Sequence, residues 1–210
     1  MSRKLNSVSA LFALTLIAIA ASSAIAQIDR VKPNPDDGIV KGPTLGCCKC
    51  LDGTNTLDLS TVPSNNWTVI DNGITKPAVF LAQTQVNAAW NINPGPAQWV
   101  STSSGSGNGS GGNFDYKLSF VIPTCTIPQT ITLAGNYGGD NTVSVYLDNL
   151  TNLVSQCTGI WCFSASHQPL PTFSQSIIPG PHTLIVRVNN AGGPSGMFIN
   201  ARLTGHCAPR

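Results

Sequence analysis

Apolar and polar residues alternate along several short segments of the chain, most clearly in FDYKLSFVI at residues 114–122. One face of this segment carries only large apolar side chains, from Phe114, Tyr116, Leu118, Phe120 and Ile122. Because successive side chains in a strand point to opposite faces, this pattern predicts a half-buried strand. TVSVYLD at 142–148 and HTLIVRVN at 182–189 repeat the pattern and predict two more strands.

Weaker alternation predicts further strands, which bring the total to about eight. These segments are WTVID (67–71), AVFLAQ (78–83), QTITLAG (129–135), TFSQSII (172–178) and MFINARLTG (197–205). Gly, Pro and Asn separate them, and no segment has the periodicity of a long helix. About eight short strands with turns between them predict an all-β protein, a single jelly-roll β-sandwich.

The segment STSSGSGNGSGGN at residues 101–113 is a Gly/Ser tract inside the predicted sandwich. Such a composition predicts a mobile surface loop, since strand-like sequence on both sides is needed to complete the fold. The loop either frames a binding face or is a tolerated insertion between strands.

The N-terminus has the three parts of a secretory signal peptide, and cleavage is predicted after Ala26. Basic residues come first, then an apolar run at residues 10–21, then the small residues AIA at 24–26. The predicted domains are therefore a signal peptide at 1–26, a flexible lead-in at 27–46, and a disulfide-stapled sandwich at 47–207. The expected localisation is secreted, either extracellular or periplasmic.

Charge excludes one class of partner. The chain has 11 basic and 9 acidic residues, and every acidic residue is Asp. Removing Arg3 and Lys4 with the signal leaves 9 of each sign, a formal charge of zero. With no basic patch, nucleic acid is not an expected partner. No second long apolar run follows the signal, so no membrane span is expected.

All seven cysteines follow the predicted signal peptide and so belong to the exported part of the chain. Because an exported protein meets oxidising conditions, disulfides are expected before a metal site or redox chemistry. Cys157 and Cys162 enclose four residues and are a natural pair. Cys207 is expected to pair with one of Cys47, Cys48 or Cys50, and Cys125 with a second of them. The odd count leaves at least one thiol over, either free or linked to another chain.

The order of motifs resembles the galactose-binding-like jelly-roll modules of secreted bacterial proteins, a group that overlaps with carbohydrate-binding modules. Four pieces carry the resemblance: NTLDLSTVPSNNWTVID, PAQWVS, GGDNTVSVYLDN and PGPHTLIVRVNNAGGPSG. Asp140 and Asn141 match a turn typical of the group. Asn149 is followed by Leu150 where the group has Gly, which lengthens the next hairpin. The resemblance implies a sandwich, and such sandwiches bind sugars, mediate adhesion or act as spacers.

Sugar binding requires exposed aromatic planes and hydrogen-bonding side chains. Trp90 and Trp161 lie in loop-like sequence and are the candidate platforms, although either could instead be a core plug over a sheet end. Asn141 and Asn189 are the candidate hydrogen-bonding partners of a ligand. Trp67 and Trp99, which have apolar neighbours, are expected in the core.

Catalytic and metal motifs are scarce. The sequence has no nucleophile elbow, zinc-protease motif or phosphate-binding loop, so it is not expected to be an enzyme. No cofactor is expected beyond a structural calcium ion, for which Asp140 in GGDN is the candidate ligand because Asp and carbonyl oxygens suit a hard cation.

The sequence leads to two hypotheses about function. The first is a secreted, non-catalytic module that binds polysaccharide or glycoconjugate, with a glycan or a cell-surface or matrix component as partner. The second is a structural or adhesive protein that forms homo-oligomers, for which the spare cysteine is one candidate link.

Overall fold

A computed structural model of the chain describes residues 42–47, 54–90, 94–104, 108–109, 111–125, 129–164, 168–175 and 178–207. The chain divides into two units, 1–38 and 39–210, and every described residue belongs to the second. The strands are β1 (Thr54–Asp58), β2 (Thr68–Asp71), β3 (Ile74–Pro77), β4 (Val79–Phe80), β5 (Val100–Ser101), β6 (Asn108–Gly109), β7 (Gly112–Ile122), β8 (Gln129–Asp140), β9 (Thr142–Leu147), β10 (Leu153–Cys157), β11 (Gln168–Gln175), β12 (Gly180–Asn190), β13 (Gly193–Pro194) and β14 (Gly196–Cys207). A 3-10 helix spans Gln83–Gln85.

Two antiparallel sheets form a sandwich, which confirms the predicted all-β class. The first sheet has the order β10-β9-β12-β7-β2-β3. The second has the order β11-β8-β14-β5-β4, and β1 also pairs with β14. A separate two-stranded ribbon joins β6 to β13 and contains part of the predicted 101–113 loop. Eight of the fourteen described strands have five residues or more, and the other six are shorter.

The strands predicted from alternation are confirmed where the pattern was strongest. In β7 every second side chain is buried, from Phe114 to Ile122, and β9 and β12 pair beside it in register. The AVFLAQ segment is strand only at Val79–Phe80. The strand β10 was missed because it lies at a sheet edge and its residues alternate only weakly between buried and exposed.

β8 is longer than the sequence predicts, because glycines extend it beyond the QTITLAG segment. A Cβ on Gly135 would come within 1.9 Å of the Asn200 carbonyl oxygen in β14. A Cβ on Gly138 would come within 2.6 Å of the Phe198 ring. A side chain does not fit at either position because the adjacent strand lies too close. Glycine therefore occurs inside a strand here despite its low strand propensity.

The sandwich begins before Cys47, where the predicted lead-in was expected to end. Leu45 is fully buried, and its N–H donates to the Val121 carbonyl at 2.9 Å. The Val121 N–H in turn donates to the Pro43 carbonyl at 3.0 Å. Residues 42–46 therefore pack on β7 as part of the fold, because Leu45 supplies an apolar side chain that the core covers.

The main core fills the space between the two sheets. In β14 its contributors include Met197 and Ile199, whose side chains face inward. Phe198 lies between them in sequence and so faces the outer side of the second sheet. There it forms a second apolar cluster with Leu81, Trp90, Ala97, Trp99 and Phe163. We call these six residues the outer cluster.

Candidate functional site

Several strand ends meet at one end of the sandwich. β8 ends at Asp140 and β9 begins two residues later, while Asn189 near the end of β12 lies opposite Asn113 at the start of β7. Asn189 also lies opposite Thr142 of β9. We call this region, with the loop that follows β10, the loop end. It brings the predicted residue Asn189 to the predicted residues Asp140 and Asn141, which lie far from it in the sequence.

Asparagine side chains form a small network at the loop end. Nδ2 of Asn189 donates to Oδ1 of Asn113 at 2.9 Å, and both residues are exposed. Asn141 donates its N–H to the Asn189 carbonyl at 3.3 Å, and its Oδ1 accepts the Ala191 N–H at 2.7 Å. These hydrogen bonds orient the side-chain amides of Asn113, Asn141 and Asn189. Asn113 and Asn189 face solvent, where a ligand can reach them. Asn113 was not predicted, since only its cross-strand position reveals it.

Trp161 is exposed over 64% of its surface, as a stacking platform must be. Its ring makes an edge-to-face contact with Phe163, with centroids 5.5 Å apart. The loop is closed by the Cys157–Cys162 disulfide, and the Gly139 N–H donates to the Cys162 carbonyl at 3.3 Å. Phe163 belongs to the outer cluster, so Trp161 stands on a covalently closed loop braced against packed aromatics.

Trp90 is not an exposed platform, as its loop-like sequence predicts, but a core plug, which was the alternative prediction. It is only 3% exposed. Its ring stacks on Trp99 with centroids 4.4 Å apart, and Trp99 meets Phe198 edge-to-face at 5.0 Å. The prediction was wrong because Trp90 is covered by residues from other segments, which its loop-like local sequence does not indicate. Trp67 and Trp99 are buried as expected.

Asp140 is a buried carboxylate with a single donor among the described residues. Its exposed fraction is 6%, and Oδ2 accepts a hydrogen bond from Nε1 of Trp90 at 2.9 Å. Burial raises the pKa of Asp140, and the hydrogen bond from Trp90 opposes that rise in part. The carboxylate therefore holds Trp90 in place at the loop end while its own charge is poorly solvated.

The predicted calcium ligand Asp140 has few potential co-ligands among the described residues. Oδ1 of Asp140 is buried without a hydrogen-bond partner in the described part of the chain, and so is Oγ of Ser195. Ser195 directly precedes Gly196, which lies opposite Asp140 in the sheet. These two oxygens are suitable ligands, but calcium takes six to eight. Nowhere in the described ranges do three or more His, Cys, Asp or Glu side chains gather as a metal site would require. Calcium at Asp140 stays a prediction.

Two disulfides are present among the described residues. Cys157–Cys162 was predicted from its spacing and is confirmed. Cys47–Cys125 is one of the pairings left open for Cys125, and it ties residues 78 positions apart. Cys48, Cys50 and the side chain of Cys207 lie outside the described residues, so the predicted pairing of Cys207 and the spare thiol stay predictions.

Comparisons with known proteins place the chain in no family. No protein-family model matches it, and no curated protein matches it. Among solved structures it is similar to an isomalto-dextranase of Arthrobacter globiformis T6 complexed with panose, at 12% identity and a TM-score of 0.29. The match covers 76% of this chain and 33% of that one, so the chain spans about a third of that protein's length. The resemblance to galactose-binding-like modules is not confirmed by these comparisons. No helix within the described ranges is long and apolar enough to cross a membrane.

Proposed function

We propose that this protein is a secreted, non-catalytic module that binds polysaccharide or glycoconjugate at its loop end. The observation that carries the proposal is Trp161, a large aromatic ring that is 64% exposed yet held on a disulfide-closed loop. An exposed indole offers a large apolar surface whose burial by a partner is favourable. Sugar rings suit such a surface, since their apolar faces stack on aromatic planes and their hydroxyls require hydrogen bonds.

Rigid mounting supports a binding role for Trp161. The disulfide, the Gly139 hydrogen bond and the Phe163 contact limit the conformations that the loop can adopt. The Ser164 N–H also donates to the Trp161 carbonyl at 2.9 Å, which closes a turn around the platform. A preformed platform loses less conformational entropy on binding than a mobile side chain does.

The roles of the carboxylates support a function without catalysis. Each of the five aspartates in the described residues makes a contact within the fold: Asp58 with the Ser60 N–H, Asp71 with Lys76, Asp115 with Arg187, Asp140 with Trp90 and Asp148 with His182. A glycosidase would need two carboxylates facing one substrate bond. In this part of the chain the acidic groups are engaged in structural contacts instead.

Secretion is supported by the two disulfides, which form and persist in oxidising compartments. The sequence pattern at residues 1–26 predicts a signal peptide that directs export.

A second candidate function, self-association, is favoured by one observation. β10 is the edge strand of the first sheet, carries no charged residue, and has Leu153 exposed. Ile160 in the following loop is also exposed. An uncharged edge strand can pair with the same strand of a second copy. A dimer in solution that a charge at Leu153 abolishes, with no glycan bound, would favour this function.

The direct test is retention of the oxidised, secreted protein on a panel of insoluble and soluble polysaccharides. The native chain is compared with Trp161→Ala, Trp161→Phe and the matched control Ile178→Ala. Ile178 is exposed at the opposite end of the sandwich, beside the start of β12. We expect one class of glycan to be retained, about two- to tenfold more weakly with Trp161→Ala because an aromatic contact of about 0.5–1.5 kcal/mol is lost.

The Phe variant keeps an aromatic plane and should retain most of the binding, and Ile178→Ala should bind as the native chain does. Each variant is checked by its unfolding transition, so that misfolding is not mistaken for loss of the site. Failure of the folded native protein to be retained on any glycan, or equal loss in Trp161→Ala and Ile178→Ala, would refute the proposal.

A further inference from the structure

A pocket of about 530 Å³ lies between residues 80–86 and residues 94–99, two segments that contribute Leu81, Ala97 and Trp99 to the outer cluster. We propose that this pocket is a second ligand site, separate from Trp161, and that it takes one neutral sugar ring or a neutral ligand of similar size and polarity. The inference rests on the proposed function for its class of ligand. Sites for small ligands typically have volumes of about 300–1,000 Å³, so the size fits.

The first wall of the pocket is fixed to the second sheet. Phe80 pairs with Val100 in register, and the Leu81 N–H donates to the Trp99 carbonyl at 2.9 Å. The 3-10 turn that follows is closed at its start, where the Ala82 N–H donates to Oε1 of Gln85 at 2.8 Å. This wall therefore ends in a short, hydrogen-bonded turn instead of an unsupported loop.

The second wall is fixed on two sides. The Gln98 N–H donates to the Thr61 carbonyl at 2.8 Å, and Oγ1 of Thr61 donates to the Gln98 carbonyl at 2.6 Å. Trp99 is held between the stacked ring of Trp90 and the edge contact with Phe198. Both walls are thus in place before a ligand arrives, which reduces the entropy that binding must overcome.

The lining determines the class of ligand. None of the eleven residues that line the pocket is ionisable at neutral pH, so it offers no compensation for a charged ligand that loses water there. Gln83 and Gln98 are exposed and present amide donors and acceptors. Phe80, Val86 and Pro96, which are half-buried or exposed, supply apolar surface, whereas Leu81, Ala97 and Trp99 are almost fully covered. Apolar surface beside neutral amides matches a neutral pyranose ring, which has an apolar face and hydroxyl groups.

The test is titration of the isotope-labelled, oxidised protein with neutral monosaccharides, namely glucose, galactose, mannose and N-acetylglucosamine. Glucuronic acid and glucosamine serve as charged counterparts. NMR shift changes identify the site, and calorimetry gives the affinity. We expect one neutral sugar to shift the Gln83 and Gln98 side-chain amides and the Trp99 indole N–H, and the charged sugars to bind more weakly.

Gln83→Ala and Gln98→Ala should each weaken binding by about three- to tenfold, the effect of losing one hydrogen bond. The matched control is Gln156→Ala, an exposed glutamine of β10 outside the pocket, which should change nothing. Absence of shifts in residues 80–99 with any neutral sugar, or binding that both glutamine variants leave unchanged, would overturn the inference.

The variant Trp161→Ala separates this inference from the proposed function. If polysaccharide retention depends on Trp161 while no small sugar enters the pocket, the proposed function stands and the pocket site falls. If a neutral sugar binds in the pocket of Trp161→Ala while no polysaccharide is retained by the native chain, the pocket site stands and the role of Trp161 falls.

Discussion

Nε1 of Trp90 donates a hydrogen bond to Oδ2 of Asp140 at 2.9 Å, and both side chains are buried. The bond joins the segment before β5 to the last residue of β8, 50 positions away in the sequence. It also places the carboxylate of Asp140, at the loop end, against Trp90 of the outer cluster. The stability of this region should therefore depend on the ionisation of Asp140.

The first prediction concerns pH and Asp140→Asn. Burial raises the pKa of Asp140 in the folded state above its ordinary value of 3.8, so the folded chain holds this proton more tightly than the unfolded chain does. The stabilising contribution is fully present below pH 3.8 and is lost as the pH rises through the raised pKa. We expect the Asn variant to gain stability relative to the native chain over that rise, measured by urea unfolding from pH 3 to 7.

Below pH 3.8 both side chains are neutral, which provides the internal control for the amide substitution itself. A stability difference that stays constant across the whole pH range would show that Asp140 does not titrate with the predicted shift.

The second prediction concerns Trp90→Phe, which removes the indole N–H and leaves the Asp140 carboxylate without its donor. A buried polar group that loses its partner costs about 1–3 kcal/mol, and we expect the free energy of unfolding at pH 7 to fall by that amount. In the Asp140→Asn background the same substitution should cost less, because an uncharged amide suffers less from the loss. Equal costs in the two backgrounds, measured as a double-mutant cycle, would contradict the coupling.

The third prediction concerns Gly138→Ala in β8. The new Cβ would lie 2.6 Å from Cε1 of Phe198 and 2.9 Å from the Cys162 carbonyl oxygen, so both the outer cluster and the Trp161 loop must shift. Overpacking of this kind costs about 1–3 kcal/mol, and glycan retention should weaken as the platform moves. Gly159→Ala is the control, since its Cβ would meet only the Trp161 nitrogen at 4.0 Å. That variant should keep its thermal midpoint, and an equal loss in both would argue against crowding.

The fourth prediction compares the two disulfides as paired Cys→Ser variants. Cys47–Cys125 closes a long loop with a sequence separation of 78, whereas Cys157–Cys162 closes one with a separation of 5. Loop-closure entropy predicts losses of about 4.5 and about 2 kcal/mol in the free energy of unfolding. The short bridge should have the larger effect on glycan retention, because it holds Trp161. If removing it leaves both retention and affinity unchanged, the mounting of Trp161 does not matter for binding.

Local pattern was sufficient for the strands whose two faces differ most. β7, β9 and β12 were recognised because each lies with one face on the core and one toward solvent, and such burial produces a period of two in the sequence. The same reasoning failed for β10 at the sheet edge and for the glycine-rich half of β8. The adjacent strands hold both segments in the sheet, although neither segment has alternating apolar residues.

The candidate site was predicted only in part. Asp140, Asn141 and Asn189 lie together at the loop end with Trp161, whereas Trp90 is buried and Asn113 was missed. The two tryptophans have similar loop-like sequence contexts and opposite environments. The difference arises because Trp90 meets Trp99 and Asp140, whereas Trp161 is braced by Phe163 along one edge and left open to solvent.

The sequence by itself determined the all-β class, the strongest strands and the Cys157–Cys162 pair, because alternation and short spacing are local properties of the chain. Only the tertiary structure decided which tryptophan is exposed, which partner Cys125 takes and where a pocket forms. Burial and cavities depend on which distant segments cover a residue. The contacts that decide them, such as Trp90 with Asp140 and Cys47 with Cys125, span 50 to 78 positions.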